Sequence, residues 1–310
     1  MKLGVYSDLH GDYDCLRNVH NFMNAQGVEI VLCAGNVLGP LFTHEESTML
    51  IGCERSLENI NRKFLEDYDC QFSFKDLLSK IKAKDEPGKR VLGMYAELIS
   101  KAEEEAKKQY QLFRDYKEGL NAELLAVPGN WDTQDFMKTL HNYSLHKWTL
   151  EQVRNSLDIR GYGGYYEEMT GFVPHDQAVP FKVSELIDCL GADGNPDILL
   201  THCPPELSLE ELKRGTFLIN SEMERVEPTI LAYGHSHVPR HILNKKTTLI
   251  CPGKLGDYRV YRDGEVIDNK KNFMILDLDD ETFLKGVSLY QIDSCTSEEI
   301  RQVEIFRQNI

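Results

Sequence analysis

Short apolar runs rich in Val, Ile and Leu punctuate the chain, each closed by Gly, Pro or a polar cluster. Leu3 to Tyr6, Ile30 to Ala34, Leu124 to Val127, Ile198 to Leu200, Ile230 to Tyr233 and Leu249 to Cys251 read this way. Such runs, with longer amphipathic stretches between them, predict buried and largely parallel strands. After the first run, Leu16, Val19, His20 and Met23 recur at spacings of three and four, which predicts a helix from Tyr13 to about Ala25. The alternation gives an α/β fold class.

Two tracts depart from it. Between Gly39 and Gly119 the sequence turns long, charged and helical, with no evident strand. Val91, Met94, Tyr95, Leu98, Ile99, Ala102, Ala106, Tyr110, Phe113 and Tyr116 hold an apolar stripe for about seven turns, opposite Lys101, Glu103, Glu104, Glu105, Lys107 and Lys108. Residues 40–120 are therefore expected to form a helical insertion or cap within a single domain spanning 1–310. Pro87-Gly88 is expected to break it into at least two helices. Its stripe needs a partner surface, as a hairpin packed on the core or as a lid over a site. Near the C-terminus, Arg259 to Gly264, Phe273 to Leu278 and Phe283 to Ile292 predict a β-meander that finishes a sheet. There is no internal repeat.

Composition narrows the function classes. The 310 residues are 41% hydrophobic, yet no apolar run approaches the roughly 18 residues of a membrane span. The opening apolar stretch is also shorter than the roughly 7 to 15 residues of a signal-peptide core, so it is read as the first strand. Eight cysteines, none in a Cys-x-x-Cys pair, suggest reduced thiols and a cytoplasmic location. With 35 Lys+Arg against 50 Asp+Glu the net charge is −15, which argues against long nucleic acid as a partner. Phosphate chemistry on such a chain would need metal ions.

The strand ends carry candidates for them. Five apolar runs close on metal-ligand residue types: Ser7-Asp8-Leu9-His10, Gly35-Asn36, Gly129-Asn130, Thr201-His202 and Gly234-His235-Ser236-His237. In α/β folds the carboxyl ends of strands line the ligand crevice, so these residues can converge. In extended backbone, residues i and i+2 point the same way, so Asp8 with His10, and His235 with His237, could each grip from one edge. Glycines 35, 129 and 234 precede the candidates where the backbone must turn sharply. One Asp, four His and two Asn form a mixed N/O shell suited to Mn, Fe, Zn or Ni, and seven donors suggest two ions.

In this order the five blocks resemble the calcineurin-like metallophosphoesterase superfamily, from residue 3 to about 260. The resemblance implies a four-layer αββα sandwich with two divalent metal ions at its edge, Mn being the natural choice in vitro. It assigns Asp8, His10 and His237 to one ion and Asn130, His202 and His235 to the other, with position 36 bridging. Asp8, His10, Asn36 and Asn130 are the implied catalytic positions. The implied reaction is hydrolysis of a small phosphate-ester substrate: ions about 3.5 to 4 Å apart lower the pKa of a bridging water toward ~7, and the resulting hydroxide attacks in line. Cys251-Pro252-Gly253-Lys254 resembles the family's Asn-Pro-Gly-Ser turn and Gly161-Tyr162-Gly163-Gly164 its glycine turn, both structural.

Two positions depart from the family pattern. Asn36 stands where it has Asp, and an amide offers one neutral oxygen in place of a charged pair. Three readings stand: a degenerate scaffold that binds protein partners, a natural variant that still turns over, or an Asp-to-Asn change introduced to trap an inactive complex. The six other expected ligands favour an active parent chemistry. Trp131 stands where many members have a His that protonates the leaving oxygen, which indole cannot do. Its absence resembles the phosphodiesterase branch; Trp131 either stacks on a base or fills the pocket wall, and Asp132 orients the loop or a histidine. His20 reads as a packed core residue, and His141 and His146 as surface groups. His175 reads as a loop residue that could substitute as acid, and Arg240, His241, Lys254 and Arg259 as candidate phosphate contacts or strand residues. Cys33 and Cys203 read as buried thiols.

Overall fold

A computed structural model describes residues 1–68, 86–140, 142–144, 148–153, 157–164, 173–174, 177–179, 181–190, 195–205, 217–256, 260–262, 265–268, 270–279, 283–292 and 300–307. In chain order its strands are β1 Lys2–Tyr6, β2 Ile30–Cys33, β3 Glu123–Ala126, β4 Trp148–Val153, β5 Leu157–Tyr162, β6 Ile198–Thr201, β7 Ile230–Tyr233, β8 Arg240–Asn244, β9 Thr247–Cys251, β10 Val260–Arg262, β11 Glu265–Asp268, β12 Lys271–Asp279, β13 Phe283–Ile292 and β14 Ile300–Arg307. The helices are α1 Tyr13–Gln26, α2 His44–Tyr68, α3 Glu86–Glu118, α4 Asp135–Thr139, α5 Val183–Leu190 and α6 Phe217–Val226.

Two six-stranded sheets form the centre, in the orders β14-β13-β12-β1-β2-β3 and β4-β5-β6-β7-β9-β8. β1, β2 and β3 run parallel in one, and β5, β6, β7 and β9 in the other. Leu3, Val5, Ile30, Leu32, Leu125 and Val127 pack from the first sheet against Ile159, Ile198, Leu200, Ile230 and Ile250 of the second. Each such side chain, fully buried, contributes about 1.5–3 kcal/mol. Helices α1, α2 and α3 cover the outer face of the first sheet, and α5 and α6 that of the second. The result is the αββα sandwich expected from the sequence. Both sheets are buried on two sides in their parallel parts, which is why those strands read as continuous apolar runs.

Local signals explain the helices that position the site. Asp12 caps α1 by accepting from the Cys15 N–H at 3.1 Å, and Gly27, at φ 69°, ends it in the left-handed conformation. In α3 the predicted stripe is real: Leu92, Tyr95, Leu98, Ala102, Ala106, Tyr110 and Phe113 are buried. The block holds two described helices, α2 and α3, in line with the expected division, and Pro87-Gly88 lies in the first turn of α3, where a missing N–H costs nothing. The link between α2 and α3 lies outside the described residues, as do His141, His146, His175 and Arg259.

Val260–Arg262 does not join the meander but pairs with β11 in a separate two-stranded sheet. The third meander strand is β14, whose exposed residues Arg301 to Glu304 left no apolar run to read. No described helix is long and apolar enough to cross a membrane. Cys15, Cys33, Cys53, Cys203 and Cys251 are buried thiols outside any disulfide.

His20 is the packed core histidine expected, 1% exposed, with Nε2 3.4 Å from the Tyr6 hydroxyl and Nδ1 3.3 Å from the Tyr116 carbonyl oxygen. Burial pushes its pKa down from 6.5 to about 4. Because the folded value lies below the unfolded one, stability is complete above pH ~6.5 and is lost as pH falls toward 4, by at most about 3 kcal/mol. His20→Gln keeps a polar partner but cannot titrate, so its melting temperature should fall less steeply than that of the parent between pH 6.5 and 4. Parallel curves by calorimetry would refute the assignment.

Candidate metal centre

The candidate ligands sit where the carboxyl ends of β1, β2 and β3 face those of β6 and β7. Asp8, His10, Asn36, His235 and His237 all have positive φ, between 48° and 64°. Non-glycine residues rarely adopt this conformation, and clusters of them mark functional sites. It also corrects the reason for the Asp-x-His and His-x-His spacing: these pairs turn inward through left-handed backbone, not through the alternation of an extended strand. Asp8, His10, Asn36 and His202 are buried, whereas Asn130, His235 and His237 remain partly exposed and form the open rim.

Asp8 is the hub, its carboxylate entirely buried. Oδ2 lies 2.7 Å from Ser7 Oγ and accepts the His235 N–H at 2.9 Å. Oδ1 faces the site, with His237 Nε2 at 3.2 Å, His10 Nε2 at 3.7 Å and Asn36 Nδ2 at 2.9 Å. The two imidazole Nε2 atoms are 3.2 Å apart. Ligands about 2.1 Å from a tetrahedral ion lie roughly 3.4 Å from each other, so these three donors are already spaced for one. Burial would raise the Asp8 carboxyl, but the His237, His202 and His10 imidazoles override it and hold it well below the usual range. His10 is driven down to about 3, chiefly by burial. Anionic carboxylate and neutral imidazole are the protonation states a metal requires.

The second half is held by a chain of amides with fixed orientation. The Trp131 N–H donates to Asn36 Oδ1 at 2.9 Å, so Asn36 Nδ2 must face the site. That nitrogen donates to Asp8 Oδ1 and, at 3.0 Å, to Asn130 Oδ1. His202 donates its Nδ1–H to the Ala34 carbonyl at 2.7 Å, leaving a lone pair on Nε2. Nε2 in turn faces Asn130 Oδ1 at 3.0 Å. Two acceptors therefore meet with no proton between them, an arrangement that positive charge relieves. The His235 ring lies beside that of His202, centroids 5.3 Å apart.

Glycine is required at two of the turns. Gly35 has φ +91°, and a Cβ on Gly129 would lie 2.2 Å from Asn36 Oδ1. The Gly253 turn is structural, as expected: its carbonyl lies 2.8 Å from Ser7 Oγ, and the Leu255 N–H donates to the Ser7 carbonyl at 2.9 Å. Trp131 is a wall residue, 6% exposed and edge-on to His10 with ring centroids 4.5 Å apart. Lys254 is wholly buried, and Arg240 and His241 belong to β8, with His241 packed on Phe306. Cys33 and Cys203 are buried thiols.

Several supporting groups have no signature in the sequence. Ser7 and the Ala34 carbonyl orient the Asp8 carboxylate and the His202 ring through local contacts that spacing does not reveal. Two more come from the helical segment: Gln109 Oε1 accepts the Gly39 N–H at 2.6 Å, and the Tyr110 hydroxyl accepts the Thr133 N–H at 2.9 Å. Asp132 accepts the N–H groups of Gly129 at 2.7 Å, Val37 at 3.1 Å and Leu38 at 3.1 Å, tying the Asn130 loop to the Asn36 loop.

Residues 1–239 match the model of the calcineurin-like phosphoesterase family. No curated protein matches the chain. One solved crystal structure is 16% identical with TM-score 0.59, over 94% of this chain and 98% of that one. The protein TT1561 of Thermus thermophilus is 12% identical with TM-score 0.50, over 97% of each chain. A novel archaeal phosphodiesterase is 12% identical with TM-score 0.40, over 99% and 100%.

Asp132→Ala leaves three buried N–H groups without their acceptor, each worth about 1–3 kcal/mol. The expected loss is roughly 3–5 kcal/mol in urea unfolding. A loss under about 1 kcal/mol would show that the two loops are held by other contacts.

Proposed function

Starting from the premise that this chain belongs to the calcineurin-like phosphoesterase family, we propose that it is a metal-dependent hydrolase of small phosphodiesters. The observation that carries the reading is the convergence of Asp8, His10 and His237, donor atoms within 4.8 Å of one another, beside the opposed lone pairs of Asn130 and His202. Asp8, His10 and His237 would hold one divalent ion, and Asn130, His202 and His235 face a second position. Such ions supply positive charge to phosphoryl oxygens and acidify a water. They also counter the repulsion between a phosphate and a chain of net charge −15.

The chain's own residues shape the rest. Ser7 and the His235 N–H fix the Asp8 carboxylate, and the Ala34 carbonyl fixes the His202 tautomer, so the donors need no rearrangement. Asn130, His235 and His237 lie on the solvent side, where a substrate enters. Trp131 presents no proton to a leaving oxygen. Transfer from a monoester passes through a loose transition state that places charge on that oxygen, so monoesters suffer most from the lack of an acid. Diester cleavage leans more on the attacking group, which favours diesters here. The helical pair from 40–120 acts as a brace behind the loops rather than a lid, because Gln109 and Tyr110 are already bonded to those loops.

With Mn2+, the protein should cleave bis-p-nitrophenyl phosphate with kcat/KM roughly tenfold or more above p-nitrophenyl phosphate. Asn36→Asp should raise the diester rate, and EDTA should abolish it. A monoester preference would overturn the diester assignment. Inactivity of both forms on both substrates would sink the hydrolase reading in favour of a protein-binding scaffold.

A further inference from the structure

We infer that this chain takes one divalent cation tightly, at Asp8, His10 and His237, and that Asn36 prevents a bridged pair. The inference rests on the metal-dependent reading above and departs from it in stoichiometry. The amide of Asn36 is not free to turn its oxygen inward. Its Oδ1 is committed to the Trp131 N–H at 2.9 Å, and turning the side chain over would set an NH2 against that N–H. Gly129 closes over the same oxygen so tightly that a Cβ there would lie 2.2 Å from it. The atom between the two half-sites is therefore a nitrogen carrying two hydrogens. Both are already donated, one to Asp8 Oδ1 and one to Asn130 Oδ1.

A nitrogen donor in that place has two effects. It withholds the oxygen that would join two ions, and it adds partial positive charge where two dications most need negative charge. The half-sites then differ. Asp8, His10 and His237 include a carboxylate and lie at 3.2, 3.2 and 3.7 Å from one another, spacings that suit a single ion. Asn130, His202 and His235 are three neutral donors. The opposed lone pairs of Asn130 and His202 attract positive charge, but no anion among them balances a second dication close to the first. Asn36→Asp replaces the inward NH2 with a carboxylate oxygen while the other oxygen keeps the Trp131 N–H.

The test is titration of the metal-stripped chain of 310 residues with Mn2+, followed by calorimetry and by the electron paramagnetic resonance of the bound ion. The parent should bind one tight equivalent with an isolated-ion spectrum. Asn36→Asp should bind two with a spin-coupled spectrum, the second ion tighter than in the parent by on the order of 100-fold or more. His237→Ala should abolish the parent's tight site and His235→Ala should spare it, with the melting temperature of each variant measured alongside to confirm that it is folded. Two equally tight ions in the parent, a single ion in Asn36→Asp, or loss of the tight ion in His235→Ala but not in His237→Ala would each overturn the inference while leaving a metal-dependent hydrolase standing. Absence of binding in both parent and Asn36→Asp would overturn the metal-dependent reading itself.

Discussion

A carboxylate shut away from water must be surrounded by donors, and Asp8 organises one end of this molecule around that demand. Ser7 and the His235 N–H take one oxygen, while His237, His10 and Asn36 gather round the other. Those partners follow β1, β2 and β7, on two different sheets, so a single charge ties the sandwich together at its functional edge. The left-handed backbone at Asp8, His10, Asn36, His235 and His237 is the conformational cost of aiming so many short side chains at one point.

Much of this was legible before any coordinates. Parallel strands buried on both faces show as unbroken apolar runs, so β1, β2, β3, β6 and β7 can be read directly, and with them the candidate ligands that follow each one. The order Asp-x-His, Gly-Asn, Gly-Asn, Thr-His, Gly-His-x-His carried the family and the four-layer arrangement. What misled was local geometry. Alternation along an extended strand also puts Asp8 and His10 on one side, but here positive φ at both residues does the turning. β14 is invisible because an exposed edge strand carries polar residues, whereas Pro87-Gly88 marks the start of α3 because a first-turn proline suits a helix N-terminus.

The hydrogen-bond directions lay beyond sequence. Asn36 can be recognised as an anomaly from its position alone, but whether its oxygen or its nitrogen faces the candidate ligands depends on the Trp131 N–H, a backbone group contributed by a loop 95 residues away. Trp131 thus matters twice: its indole occupies the wall beside His10, and its amide decides the polarity of the residue between the half-sites. The wall role is one of the two the sequence allowed for the indole; the backbone role has no counterpart in side-chain chemistry.

The grip of Gln109 and Tyr110 on the Gly39 and Thr133 amides has an architectural corollary. The long helical excursion cannot be trimmed away as decoration, because excising it would strip acceptors from the backs of two loops whose fronts carry Asn36 and Asn130. A chain without these helices would have to build the same scaffolding from other atoms.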